Sequence, residues 1–410
     1  MLNNISEKAE KACSGCGACS SICPENAIQL KIDDIGFVTA SVNESVCIDC
    51  GLCKKVCYRF NDIASESAVS LYDSSLFALQ SSNGDIVKKC SSGGVAHAIA
   101  EEVLAQGGAA VGVAYRYEDN TAIHRIIENA EELSELDGSK YIQSNPHDAF
   151  AEAVKQALSD HTKQFAVFGT PCQIAGLNKV LRQKKIREQF LLTEIFCHGV
   201  PSYLLWENEV ERISKKLGTN HFDSLVFRFK RYDWHSYYLR AEANGKTFYG
   251  ARERELFWQV YFENILLGDA CYSCEARKEK SCADLRIGDF WGIRFQDRTD
   301  GVSAVFACTE MGKAFINHLI DRGKLTRFEC ADAAEMLSAQ NMGGYQSIEL
   351  HNRAMNKLRN TSDINVAVRY FRSYLPLKQK AKRYVLSASN LLPGEIRTKL
   401  RKVNSGRQLK

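Results

Sequence analysis

Eight cysteines near the amino terminus constrain this chain more than any other feature. Cys13, Cys16, Cys19 and Cys23 recur as Cys47, Cys50, Cys53 and Cys57, every member displaced by 34 residues. Each half reads Cys-x2-Cys-x2-Cys-x3-Cys, and Pro24 follows the first. Three closely spaced thiolates wrap one cubane while the fourth, a turn away, reaches the other cluster. The spacing therefore assigns Cys13, Cys16, Cys19 and Cys57 to one [4Fe–4S] cluster, and Cys47, Cys50, Cys53 and Cys23 to a second. Gly15, Gly17 and Gly51 let the backbone wrap closely and aim amides at the sulfurs. The alternative is a pair of four-cysteine zinc sites, but zinc ligands usually fall in two separated pairs. Tyr58 stands where such ferredoxin motifs usually carry proline.

Two clusters close together form a relay, so something downstream must take or supply the electrons. With 410 residues, the chain has room for two or three domains at roughly 150 residues each. Its 45% apolar and 25% charged residues are the balance of a globular protein with a core, not of a disordered one. No run of roughly 20 apolar residues suggests a membrane span. Met1 to Ala12 carry charge without an apolar core, so no secretory leader is expected and a cytoplasmic location is. In that reducing setting sixteen cysteines read as metal ligands, not disulfides. A net charge of +4 is too small to suggest nucleic-acid binding. The basic excess gathers beyond Leu377, where Glu395 is the lone acid.

Between the cysteine groups, Ala27 to Ala40 reads as a hairpin turning at Asp33-Asp34-Ile35-Gly36. Residues 61–70 are small and polar, a linker composition. Strands then alternate with helices: helix Val95–Ala105, strand Ala109–Tyr115, helix Ala149–Leu158 capped by Asp148, strand Phe165–Phe168, a helix from about Gln173, and strand Leu191–Phe196. Phe222–Phe229 and Ser236–Ala243 read as β structure. From Ile364 the chain is helical and basic, broken by Pro376 and Pro393. Such alternation favours a mixed α/β sheet.

Further motifs follow in order. They are Cys90-Ser91-Ser92-Gly93-Gly94, Gly138-Ser139-Lys140-Tyr141-Ile142-Gln143-Ser144, Gly169-Thr170-Pro171-Cys172-Gln173, Cys197-His198-Gly199-Val200-Pro201-Ser202, Cys271-x2-Cys274, and Asp284 through Gly292. As an ordered set over about residues 10 to 345, they resemble the family of coenzyme F420 hydrogenase/dehydrogenase beta subunits. That resemblance implies an FAD-binding domain with its own [4Fe–4S] cluster, often joined to a ferredoxin segment.

Taken by themselves, Ser91, Ser92, Gly93 and Gly94 precede a helix, and their free amides suit a pyrophosphate. A simple capped helix is the plainer alternative. Ser139, Lys140, Tyr141, Gln143 and Ser144 would bring charge, a stacking ring and polar groups to the flavin. Thr170, Pro171 and Gln173 lie at the carboxyl end of a strand, the edge where open α/β sheets bind ligands. For a third cluster there are five candidates for four places: Cys172, Cys197, Cys271, Cys274 and Cys282. The resemblance matches the first four. A zinc site or unligated thiols are the alternatives. Cys90, Cys308 and Cys330 fit no pattern and read as packing residues. His198 is a candidate catalytic proton donor, against the plainer reading of a structural histidine. Arg228 lies in a stretch where the family has an acid at the position of Phe229. Asp289 to Gly292 suggest packing against a cofactor.

The expected fold is α+β. A bacterial-type two-cluster ferredoxin module (1–62) precedes a mixed α/β flavin-binding domain in two parts, 63–160 and 161–345, the second with the third cluster. A helical basic tail, 346–410, follows and could contact an anionic membrane surface. The expected function is an iron–sulfur flavoprotein oxidoreductase that passes electrons through [4Fe–4S] clusters to FAD. It would reduce an organic substrate, the deazaflavin coenzyme F420 or another small molecule. The alternative is an electron-transfer subunit without its own substrate, docking onto a partner oxidoreductase. Expected partners are an electron-carrying protein such as ferredoxin, or a partner subunit, and a small molecule, with no nucleic acid.

Overall fold

The two cysteine groups fold alike because a glycine opens each. Gly17 (φ 81°) and Gly51 (φ 77°) adopt the left-handed conformation and start helices α1 (Ala18–Ile22) and α2 (Leu52–Val56), a turn that side chains with a Cβ resist. Cys19 and Cys53 ride on these helices, and Cys23 and Cys57 end them. Between them, β1 (Ile28–Ile32) and β2 (Val38–Val42) form the expected antiparallel hairpin. The Asp33 carboxylate holds its turn by accepting from the amides of Ile35 and Phe37. This computed structural model describes residues 3–7, 12–61, 68–235, 237–252, 254–330, 332–340, 347–375 and 377. Most of the 61–70 linker lies outside them, as do residues 346, 376 and 378–410 of the tail.

After the module come β3 (Val69–Ser70), β4 (Ser75–Ser81), α3 (Gly84–Lys89), α4 (Val95–Ala105), β5 (Ala109–Arg116), β6 (Thr121–Ile127) and β7 (Ser144–Asn145). Next are α5 (His147–Ser159), β8 (Phe165–Gly169), α6 (Pro171–Lys184), β9 (Phe190–Ile195) and α7 (Tyr203–Leu217). An antiparallel sheet of β10 (Ser224–Phe229), β11 (Tyr238–Ala243) and β12 (Lys246–Ala251) leads to α8 (Leu256–Phe262) and α9 (Asp269–Tyr272). Then follow β13 (Lys280–Ser281), β14 (Leu285–Asp289), β15 (Ser303–Ala307), α10 (Glu310–Asp321) and β16 (Leu325–Phe328), and helices α11 (Ala333–Ala339), α12 (Ile348–Thr361) and α13 (Ile364–Ser373).

The main sheet has nine strands in the order β16-β4-β15-β14-β9-β8-β5-β6-β7. Its centre, β14-β9-β8-β5, is parallel. β4, β15 and β16 pair antiparallel at one side. Parallel strands are covered on both faces, which is why β5 and β8 read as near-continuous apolar runs. On one face α4 and α10 pack Val95, Ile99, Ile316 and Leu319 against Leu79, Ala166 and Val305. On the other, α5 and α6 pack Phe150, Val154, Leu177 and Leu181 against Val111, Val167 and Leu192. Ala18, Ile22 and Val56 join this second cluster, so the ferredoxin-type module is docked by the same burial that builds the sheet.

Two helix starts differ from expectation. α5 begins at His147, and Asp148 lies in its first turn instead of capping it. Asn145 has already taken the local capping work by accepting from the His147 amide at 3.0 Å. α6 begins at Pro171, two residues before Gln173, because proline suits the first helical position and Thr170 with Gln173 closes a capping box ahead of it.

Candidate functional site

The chain brings its cysteines together in three sets. Cys13, Cys16, Cys19 and Cys57 face one another beneath α1. Burial pushes the Cys16 thiol up to about 12, and neighbouring Cys57 and Cys13 add to the shift. Such thiols ionise only when a metal takes up their charge. Cys23, Cys47, Cys50 and Cys53 surround a small cavity of about 20 Å³. Amides turn toward two of these sulfurs, Ala27 N to Cys23 at 3.3 Å and Asn4 Nδ2 to Cys47 at 3.6 Å. This second set is the outer one, with Cys50 exposed and Ile48 beside it 60% exposed.

The third set forms at the carboxyl ends of two parallel strands. Cys172 follows β8 in the first turn of α6, Cys197 follows β9, and Cys271 and Cys274 come from α9 and the turn after it. All four line one cavity of about 350 Å³, together with Cys13, Arg277 and Arg359. Cys282 is not with them; it lies beside Glu194, Arg286 and Asn178. Burial pushes Cys197 up to about 11 and Cys271 up to about 12. The Gly199 amide donates to Cys197 Sγ at 3.4 Å.

A tetrahedral zinc–thiolate site, with Zn–S near 2.3 Å, gathers its sulfurs to within roughly 3.8 Å of one another. Among the described residues, three metal-type ligand atoms lie within 4.8 Å of one another only at Cys90, His97 and Asp137. No three cysteine sulfurs among the described residues lie that close together. A cubane, whose thiolates bind different irons, holds them wider apart.

The twelve residues expected to hold cofactor fall into two groups. Ser91, Ser92, Gly93, Gly94, Ser139 and Lys140 gather at the start of α4. Ser91 Oγ accepts from the Ser139 amide at 2.9 Å, and Ser92 Oγ donates to the Val302 carbonyl at 3.0 Å. Gly93 is needed for close approach, since a Cβ there would stand 2.6 Å from the Leu79 carbonyl oxygen. Gly94 (φ 81°) starts the helix with no side chain capping it, so its first amides fit an anionic group. Lys140 and Lys230 flank this turn, each held by backbone carbonyls and each pushed down to about 8 by burial. Tyr141 points into an aromatic group with Trp258 at 4.9 Å and Tyr261 at 5.5 Å. Arg228 and Arg252 lie over the Tyr237 ring of that group.

Gln143, Ser144, Thr170, Pro171 and Gln173 instead line the cysteine cavity, and the polar groups of four of them have other work. Gln143 accepts from Val38 N and donates to the carbonyls of Ser14 and Val38. Gln173 donates to Ser144 and closes the cap with Thr170. These side chains present Cys172 and bind the module to the sheet. His198 is half-buried with its ring 5.4 Å from that of Tyr261, and burial lowers its pKa. Asp289 is engaged by Arg228 at 2.5 Å, so the two form a buried ion pair.

Sequence reasoning missed one group. Cys90, read as packing, is 3.6 Å from Asp137 Oδ1, which His97 Nδ1 meets at 2.8 Å. His97 and Asp137 lie 40 residues apart in the chain, so no spacing joins them in the sequence.

Paired cysteine-rich turns docked on an α/β sheet define an iron–sulfur electron-transfer protein. The chain belongs to the family of coenzyme F420 hydrogenase/dehydrogenase beta subunits. The family's N-terminal model matches residues 76–150 and its C-terminal model residues 162–333. A 4Fe-4S dicluster domain matches residues 12–59. An uncharacterized protein of Methanocaldococcus jannaschii is 26% identical over 222 residues, 47% of this chain and 60% of that protein. The coenzyme F420-dependent sulfite reductase of the same organism is 25% identical over 186 residues, 44% of this chain and 26% of that enzyme. One subunit of the F420H2 dehydrogenase of Methanosarcina mazei is 23% identical over 194 residues, 45% of this chain and 53% of that protein. This chain thus spans less than two thirds of each of these relatives. A chain of the F420-reducing [NiFe] hydrogenase complex from Methanosarcina barkeri gives a TM-score of 0.48 at 16% identity, covering 73% of this chain and 94% of that one. Among the described residues, no helix is long and apolar enough to cross a membrane.

Proposed function

We propose that this chain is an iron–sulfur flavoprotein oxidoreductase with three [4Fe–4S] clusters and one FAD. Electrons enter at the exposed outer set, pass the inner set, and reach the set of Cys172, Cys197, Cys271 and Cys274. The observation that carries the reading is the shared cavity. Cys13, a ligand of the inner ferredoxin-type cluster, lines it together with all four cysteines of the third set.

Flavin, when bound, exchanges one electron with a cluster and two with an organic molecule. For this chain, the start of α4 with Ser91 to Gly94, Ser139 and Lys140 holds the anionic part of the cofactor. Tyr141 and its aromatic neighbours wall the ring. His198, packed against Tyr261, moves a proton at the reacting face. The names of the relatives make the deazaflavin coenzyme F420 the first small molecule to try.

Anaerobic purification followed by iron, zinc and flavin measurement tests this. About twelve irons and one FAD per chain are expected for three four-iron clusters. About eight irons and no flavin would overturn both the third cluster and the flavin site. A second reading, a subunit that relays electrons to a partner oxidoreductase, is favoured by the apolar rim of Val46 and Ile48 around the outer set. Turnover of F420 by the purified single chain would exclude it.

A further inference from the structure

Helix α6 touches both the inner and the third sets. Cys172 stands in the first turn of that helix, and Gly176 lies four residues on, on the same helix face. A glycine inside a helix costs stability relative to alanine, so its presence here asks for a reason. A Cβ at Gly176 would stand 3.0 Å from Cys16 Sγ, 3.5 Å from Cys16 Cβ and 3.0 Å from Ala18 Cβ. The sulfur of an inner-set cysteine thus rests on the bare backbone of the helix that presents a third-set cysteine. Tyr58 seals the flank. Its hydroxyl donates to the Ala12 carbonyl at 2.8 Å, and Cys172, Cys16 and Cys13 surround it. This is the position where the motif usually has proline, which could neither reach across nor donate.

We propose that the turn of α6 from Cys172 to Gly176 is the contact through which electrons pass between the inner cluster and the third cluster. Gly176 is its positioning residue. The inference rests on the third set holding a cluster, as proposed above. It goes beyond that reading by assigning the crossing to one helical turn, and by explaining a buried glycine and a substituted tyrosine together.

The full chain carrying Gly176→Ala, and separately Gly176→Val, tests it, with iron counted in each. Gly84→Ala is the control, a helical glycine whose Cβ would meet open space. The readouts are the magnetic interaction between the two clusters in the EPR spectrum of the reduced protein, and the rate at which the third cluster is reduced after mixing with reduced ferredoxin. The expected result is a full iron complement with a weakened interaction and a several-fold slower rate, more so for valine than alanine. Unchanged coupling and rate at full iron in the alanine variant would overturn the proposal. Loss of the third cluster's iron in that variant would also overturn it, making Gly176 an assembly residue. About eight irons in the unsubstituted protein would instead overturn the reading beneath it.

Discussion

The side chain of Gln143 donates to the backbone carbonyl of Ser14 at 3.0 Å while accepting from the Val38 amide at 2.8 Å. One buried amide from the α/β sheet thus holds both the loop between Cys13 and Cys16 and the second strand of the hairpin between the cysteine groups. Gln143→Ala leaves the Val38 amide buried without this partner. A loss of about 1–3 kcal/mol is expected, read from urea unfolding followed at the visible absorbance of the clusters. Loss below about 0.5 kcal/mol would show that apolar docking of α1 against α5 and α6 suffices alone.

The choice among five cysteines has a direct check. Cys172→Ser is expected to lower the iron content by about four per chain, while Cys282→Ser leaves it unchanged. The reverse pattern in elemental analysis would move the third cluster toward Glu194 and Arg286.

Arg286 is fully buried and pairs with Glu194, whose carboxyl is pushed up by burial even with the guanidinium beside it. The same guanidinium donates to the carbonyls of Ala276 and Lys280, each at 2.9 Å, and to that of Lys278. It therefore tethers the loop that follows Cys274. Arg286→Met strands a buried carboxylate and should cost about 3–5 kcal/mol, with loss of the third set's iron. Adding Glu194→Met should restore much of the stability without the tether, so thermal melting would recover and iron would not.

Lys140 supplies the pH dependence. Burial lowers its pKa from the ordinary 10.5 to about 8, opposed by Asp137, Cys90 and Glu135 nearby. Below pH 8 the ammonium is charged in the folded protein; between about 8 and 10.5 the folded protein has lost a proton that the unfolded chain keeps. If the pyrophosphate of FAD sits at this turn as proposed, it needs the charged form, and retention of FAD should weaken as pH rises through 8. Lys140→Arg keeps its charge throughout that range. Equilibrium dialysis at pH 7 and pH 9 should show the drop for the natural residue and a flat profile for arginine.

What could be read from the sequence was what neighbours in the chain decide. The assignment of Cys57 to the inner set and Cys23 to the outer follows from spacing alone, as do the hairpin between them and the span of α4. The roles of Gln143 and Gly176 were not legible, because their partners Ser14 and Cys16 lie far away in the chain. The same holds for Asp137, which meets Cys90 and His97 only after the sheet has formed. Spacing alone left Cys282 a fifth candidate, and only the resemblance preferred Cys274, because nothing local to Cys282 says that it lies beside Glu194 and Arg286. Asp148 looked like a cap because aspartate favours that position, but the helix already starts at His147, whose amide donates to Asn145.

The position of β4 has a consequence for how the protein is made. Ser75–Ser81 pairs on one side with Ser303–Ala307 and on the other with Leu325–Phe328, both of which leave the ribosome long after it. Until then Phe77, Ala78 and Leu79, all buried in the finished fold, belong to a strand with two bare edges, the kind of surface that recruits other chains. The ferredoxin-type turns, by contrast, have every cysteine in hand by residue 57. Cluster insertion there can precede completion of the sheet, while the third set must await Cys274. The eight-cysteine module can therefore take up iron before the strand at 75–81 has met either of its partners.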